Sequence, residues 1–462
     1  MSQFVGRKEE LKILSDAWRK KQSDFIPVYG RRRVGKSELI LHLLKEKKGV
    51  YYCGKKAQAK MQIREFLQES AILLQEPLLA GYDAHDWKSA LLAVTDRCPS
   101  SQKIILALDE FQWIAETSPE IPSVLQEIWD RKWKKQENIL LILCGSYVGF
   151  MERDILGKKS PLFGRRTAQI LLKPFGYREA IEFHPSYSLE DRARTYFICG
   201  GVPLYLKYFL SSRSVELNII DNFLNQYAPL YQEPEFLLRE ELREVENYYA
   251  ALLAIASGVS SHTAIAQKAG LENRALHYYL KQLVELGYLS RRHPLAEKNI
   301  SQRKVRYVLD DPLLRFWFRF IYPNTSFILQ FGGARAFKER IKPGLDSYFG
   351  YCFERLCREA LARLYQREGV NAGFQIGEYW DKNVQIDVVG LREDNWTDLG
   401  ECKWSENISL TDIEKELDQK TKLFPNRRNA TLQKRIFSRY PFPARKGKKD
   451  DIRRHHLRDL FQ

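Results

Sequence analysis

Apolar and polar positions divide the chain into segments of two periods. Continuous apolar runs bounded by polar residues or glycine predict buried strands at 26–29, 49–53, 103–108 and 139–145. Apolar residues spaced three and four apart predict helices over 38–45, 56–75, 177–183, 244–256, 261–269, 273–286, 349–365 and 411–424. Ser261 is placed to cap one of these, and Gly270 and Gly287 to stop two. Short strands at 288–292 and 304–309 flank a basic loop, and further strands follow at 384–390 and 399–404. This order predicts an α/β chain built of several domains.

The turn between the first strand and the first long helix carries the sharpest chemistry. Gly30, Arg31, Arg32, Arg33, Val34, Gly35, Lys36 and Ser37 read G-x-x-x-x-G-K-S, with Glu38 opening the helix. Glycines let backbone N–H groups curl round a phosphate, and the helix N-terminus adds partial positive charge. Lys36 is placed for the β- and γ-phosphates of ATP, and the Ser37 hydroxyl for Mg²⁺. The strand at 103–108 ends in Asp109 and Glu110. Asp109 is expected to hold Mg²⁺, usually through water, and Glu110 to act as general base on the attacking water. Gln112 follows on the same loop, where it reaches nucleotide, meets a neighbouring subunit or lies on the surface.

Ser146 ends the next strand and is the candidate sensor of the γ-phosphate. Arg165 and Arg166, in S-P-L-F-G-R-R, are candidates for an arginine finger, in cis or from a neighbouring subunit, or for a solvated basic turn. The segment F-V-G-R-x-x-E-L at the start resembles the entry to AAA+ and STAND ATPases, where it packs near adenine. The turn Gly200-Gly201-Val202-Pro203 resembles that of a STAND helical lid, with Pro203 near the base.

Lys and Arg total 74 against 58 Asp and Glu, a formal charge of +16. The excess favours a polyanionic partner, DNA most simply, and the exposed side of the third middle helix (Arg274, His277, Tyr278, Lys281) is placed to meet it. The basic chain end, 434–458, with Arg445, Lys446, Lys448, Lys449, Arg453 and Arg454, either tracks a phosphate backbone or is a solvated surface. The seven cysteines form no C-x-x-C or Cys/His cluster. They read as reduced core residues of a cytoplasmic protein. No secretory leader and no apolar run of about 18 residues is found, so no membrane partner is expected.

Asp387 on one strand, then a turn, then Glu401-x-Lys403 on the next make a corner of two carboxylates and an ammonium. Residues two apart on a strand share a face. Asp387 and Glu401 are candidate ligands for Mg²⁺, with Mn²⁺ as the substitute. Glu354 on the preceding helix is a third, and Lys403 is placed to orient or activate water at a phosphodiester. An E-x-K on a strand is equally a surface ion pair when it stands alone.

Taken in order, F-V-G-R-x-x-E-L, the phosphate loop, L-D-E-F-Q-W, S-P-L-F-G-R-R, G-G-V-P-x-Y-L and G-E-C-K-W resemble the prokaryotic archaeal-type STAND/AAA+ ATPases with a C-terminal DUF234 domain. The resemblance implies a P-loop ATPase core (1–172), a helical lid (173–240), a winged helix-turn-helix (241–322) and a restriction-endonuclease-like α/β domain (323–462). The expected function is ATP hydrolysis coupled to metal-dependent DNA cleavage, in defence or mobile-element control, in a homo-oligomer where a second subunit completes the ATP site. The alternative is an ATP-dependent regulator or assembly factor whose nuclease-like domain does not cleave.

Overall fold

The computed structural model describes residues 4–99, 101–242, 244–295, 304–406, 409–442 and 451–462. The chain divides into two compact units, residues 1–175 with 202–204, and residues 176–201 with 205–462.

The first unit is built on a parallel sheet of β1 (Asp24–Tyr29), β2 (Gly49–Cys53), β3 (Ile104–Asp109), β4 (Ile139–Gly145) and β5 (Ile170–Leu171). Their order is β2-β3-β4-β1-β5, so β4 lies between the two strands that end in candidate site residues. Every residue of β1, β3 and β4 is buried. Alternate side chains feed opposite faces. Leu106 and Leu108 join a core with Tyr52, Phe66 and Trp87, while Ile105 and Ala107 join Val28, Leu39 and Leu43. Two covered faces are why these strands read as unbroken apolar runs. Loops at the C-terminal ends of β1, β3 and β4 therefore meet at one edge, the usual place for a ligand in such a sheet.

The second unit holds two further assemblies. Helices Val245–Ala256, His262–Ala269 and Asn273–Glu285 pack with an antiparallel hairpin, β6 (Leu289–Arg292) and β7 (Arg306–Leu309). Ser261 caps the middle helix by accepting a hydrogen bond from the Ala264 N–H. Leu276, Leu280 and Leu283 face the core, while Arg274, His277, Tyr278 and Lys281 are exposed. Beyond them lies a mixed sheet of β8 (Phe374–Trp380), β9 (Gln385–Arg392), β10 (Trp396–Lys403), β11 (Thr431–Ser438) and β12 (Ile452–His456), ordered β12-β11-β10-β9-β8. Strands β8 to β10 pair antiparallel, and β10 to β12 pair parallel. The long helix Lys342–Arg367 buries Phe349, Phe353, Leu356, Leu361 and Leu364.

Part of the basic chain end is neither free to track a phosphate backbone nor a solvated surface. Residues 431–438 and 452–456 are sheet strands. Arg435 is fully buried, bound at both guanidinium edges by Asp398 and Glu368. Arg453 pairs with Glu368, and Arg454 lies 2.7 Å from Glu414. Arg445, Lys446, Lys448 and Lys449 lie outside the described residues, as does most of the basic loop between β6 and β7. Six cysteines are buried and Cys53 is half-buried; all seven are free thiols. Among the described residues no helix is long and apolar enough to cross a membrane.

Candidate active sites

The phosphate loop leaves β1 at Gly30 and enters the helix Lys36–Leu44 at Gly35, whose φ of 91° is left-handed. Gly30 turns at φ 152°, and a Cβ there would lie 2.2 Å from the Leu172 carbonyl oxygen, so only glycine fits. Arg33 is also left-handed, at φ 69°. The Lys36 ammonium folds back into the loop and donates to the carbonyls of Gly30 (3.0 Å) and Arg31 (2.9 Å). Burial depresses its pKa, and an anion bound beside it would raise it again. Arg7 supports the loop from below. It is buried, donates to the Val34 carbonyl at 2.9 Å, and stacks its guanidinium 3.9 Å from the Phe175 ring centre. Pro203 stands beside Gly35, its Cγ 3.7 Å from where a Cβ would project.

Strand β3 brings its two acids to the same edge. The Ser37 hydroxyl donates to Asp109 Oδ2 at 2.5 Å, and the Tyr51 hydroxyl to the same oxygen at 2.6 Å. Burial, then the Asp109 charge, pushes the Tyr51 phenol well above its ordinary value, so it stays a donor. Sequence reasoning missed Tyr51, because nothing local signals that β2, where Tyr51 lies opposite Ala107, lets its hydroxyl reach Asp109. Glu110 follows in a left-handed turn, φ 47°. Both of its carboxylate oxygens lie within 3 Å of the Ser146 hydroxyl, at 2.9 and 2.7 Å. Gln112, which sequence left open as a surface residue, is buried and donates to the same carboxylate.

A hydroxyl and a carboxylate side by side at the end of a phosphate loop suit Mg²⁺, which takes one or two protein ligands and completes its shell with phosphate oxygens and water. Ser37 and Asp109 would hold it, and when bound it would offset charge on the β- and γ-phosphates. The candidate arginines are placed differently from one another. Arg165 is engaged by Asp130, with its Nη2 at 2.7 Å and Nε at 3.0 Å, and by the Pro161 carbonyl. Arg166 is exposed, with a 3.4 Å bond to the Leu156 carbonyl.

The second corner lies on β9 and β10. Gly400 pairs with Val388 at the end of the ladder, and Glu401 and Asp387 are the residues next to that pair on their strands. Asp387 Oδ2 accepts from the Cys402 N–H at 3.1 Å, and burial raises its pKa. Lys403 reaches Glu401 at 2.8 Å. A second ammonium, Lys420 from helix Leu410–Leu423, reaches the other Glu401 oxygen at 2.6 Å, and both lysines also bind Glu416. Burial, then the Asp387 charge, pushes Glu401 up to about 7 and Glu354 up to about 8. Burial would raise Glu416 as well, but bonds from Lys420 and Lys403 outweigh it and hold that carboxyl at about 2.

These are oxygen donors of the kind a divalent cation takes. Yet among the described residues no group of three or more His, Cys, Asp and Glu side chains is gathered to hold a metal ion. As placed, the positive charge at Glu401 comes from two lysines. Sequence reasoning found Lys403 but missed Lys420 and Glu416, which lie on a helix whose spacing marks only its buried face.

A family described as an ATPase domain predominantly from Archaea matches residues 4–209, and DUF234, described as archaeal and bacterial proteins of unknown function, matches residues 317–417. An "uncharacterized protein" of Methanocaldococcus jannaschii is 30% identical over 428 residues, which is 91% of this chain and 92% of that one. An "uncharacterized ATP-binding protein" of the same organism is 51% identical over 45 residues, 10% of this chain and 76% of its own. Among solved structures, the Walker-type ATPase of Pyrococcus abyssi is 19% identical, with a TM-score of 0.49, over 68% of this chain and 96% of that chain. The chain belongs to the family that joins an N-terminal ATPase domain, predominantly archaeal, to a C-terminal DUF234 domain.

Proposed function

We propose that the protein binds ATP with Mg²⁺ at the phosphate loop, hydrolyses it, and uses the cycle to act on DNA. The observation that carries the first part is the 2.5 Å contact between Ser37 and Asp109, which sets the loop hydroxyl and the acid of β3 side by side. Lys36 would exchange the Gly30 and Arg31 carbonyls for phosphate oxygens. Glu110 would take the proton of the attacking water, and Ser146 would donate to the γ-phosphate. Between the two candidate arginines, Arg166 is the freer to reach a phosphate, within this subunit or in a second copy.

DNA is supported by the charge of +16 and by the exposed row Arg274, His277, Tyr278 and Lys281 on Asn273–Glu285. We read that helix and the β6–β7 hairpin as a winged helix. Two hairpin arginines are already committed to the mixed sheet. Arg292 pairs with Glu378 at 3.0 Å, and Arg306 lies 4.3 Å over the Trp380 ring and bonds Gln385. The helix rather than the hairpin root therefore carries the contact in this reading.

For the mixed-sheet domain we propose a restriction-endonuclease-like fold with Asp387, Glu401 and Lys403 at its reactive corner, serving defence or mobile-element control. A specific observation favours a second reading. Lys403 and Lys420 together neutralise Glu401 where a metal ion would sit, which suits a non-cleaving scaffold in an ATP-dependent regulator. Incubation of single- and double-stranded DNA with Mg²⁺ or Mn²⁺, with and without ATP, separates the two. Cleavage by wild type that is lost in Asp387→Ala supports the nuclease. Intact DNA under every condition, with ATP hydrolysis present, supports the regulator.

A further inference from the structure

Gln112 stands in the first turn of helix Phe111–Thr117, two residues past the acid pair, and is 7% exposed. Its Nε2 donates to Glu110 Oε2 and lies 3.4 Å from the Ser146 hydroxyl. Its Oε1 is buried and accepts no hydrogen bond among the described residues. A buried carbonyl left without a donor is costly, and an apolar side chain of the same shape would avoid that cost. The amide is oriented toward Glu110 despite it. The floor under the amide is Gly145, where a Cβ would stand 3.0 Å from Gln112 Oε1 and 2.8 Å from Met151 Sδ. The end of β4 is thus cut back to admit this side chain.

The chemistry of the three groups defines a division of labour. The Ser146 hydroxyl has one proton. It serves Glu110 here, at 2.7 and 2.9 Å, and cannot donate to a γ-phosphate at the same time. An amide N–H₂ has two protons and makes no demand on the phosphate. We infer that Gln112 is a positioning residue for ATP hydrolysis, the donor that keeps the Glu110 carboxylate in place once Ser146 turns to the γ-phosphate. This rests on the reading of Glu110 as general base. A base misplaced by an ångström loses much of its effect while substrate binding is untouched, so the role belongs to turnover rather than affinity.

The test uses the full chain and four proteins: wild type, Gln112→Met, Glu110→Gln and the double variant. Methionine keeps the length of the side chain and removes the donor. ATP hydrolysis is followed at steady state and in single turnovers with enzyme in excess, binding is measured with a fluorescent ATP analogue, and melting confirms folding. Gln112→Met is expected to lower kcat by about 10- to 100-fold, with KM and analogue affinity within roughly threefold of wild type. In the Glu110→Gln background the same substitution is expected to add nothing, since its target is gone. A kcat within about twofold of wild type, or losses that multiply in the double variant, overturns the assignment. A melting temperature that falls together with analogue affinity points to a packing role and also overturns it. If Glu110→Gln hydrolyses ATP as fast as wild type, the general-base reading itself fails, and the Gln112 assignment falls with it.

Discussion

The Ser37 hydroxyl and the Asp109 carboxylate are 72 residues apart in the chain and 2.5 Å apart in space. The contact spans two strands that are not neighbours, since β4 lies between β1 and β3. If this pair is the Mg²⁺ seat, Asp109→Asn keeps the shape and removes the charge. The expected result is a rise of about tenfold or more in the Mg²⁺ concentration needed for half-maximal hydrolysis, with the fold intact. A titration of hydrolysis against Mg²⁺ checks it, and an unchanged midpoint counts against the assignment.

Arg7 ties the entry segment to the phosphate loop through Val34 and Phe175. Arg7→Ala removes a charge-assisted bond to the loop backbone and the stacked guanidinium together. The expected cost is about 1–3 kcal/mol of stability, with a several-fold loss of nucleotide affinity. Chemical denaturation and binding of a fluorescent ATP analogue measure the two effects. Arg7→Lys is expected to recover only part of either, because an ammonium lacks the planar face.

Gly30→Ala is expected to yield little folded protein. The new methyl would meet the Leu172 carbonyl at 2.2 Å, at a backbone angle that alanine rarely adopts. Normal expression and melting for this variant would show that the loop is not built as described.

His455 gives the C-terminal domain a pH dependence of predictable sign. Burial, then the Arg435 charge, lowers its pKa to about 4, and the neutral ring accepts from Arg435 Nη1 at 3.0 Å. The folded pKa lies below that of an unfolded histidine, near 6.5. The stability it contributes is therefore present above about pH 6.5 and is lost as pH falls toward 4, on the order of 2–3 kcal/mol. Glu354 and Glu401, with raised pKa values, act in the opposite sense over the same range, so His455 is read as a difference: between pH 7 and pH 4 wild type is expected to lose more stability than His455→Gln, by that amount. Denaturation at steps across this range measures it, and an equal loss in both proteins would rule out this contribution from His455.

What the chain reveals by itself follows from where each constraint is stored. The strands ending in Tyr29, Asp109 and Gly145 are legible because burial on both faces demands unbroken apolar runs. The phosphate loop is legible because phosphate binding fixes glycine, lysine and serine at set spacing. The partners are not legible: Asp130 for Arg165, Lys420 for Glu401 and Tyr51 for Asp109 come from distant elements that only the sheet orders bring together. Strands β11 and β12 escape for a related reason. Arg435 and Arg453 read as surface charges until Asp398 and Glu368 are brought beside them.

The most direct test of the account is phosphate release from ATP with Mg²⁺ present, for wild type beside Lys36→Ala. Mg²⁺-dependent hydrolysis is expected from wild type, and a loss of about 100-fold or more in the variant, whose loop no longer carries the ammonium that meets the phosphates. Hydrolysis at equal rates in the two proteins, or hydrolysis indifferent to Mg²⁺, would contradict it.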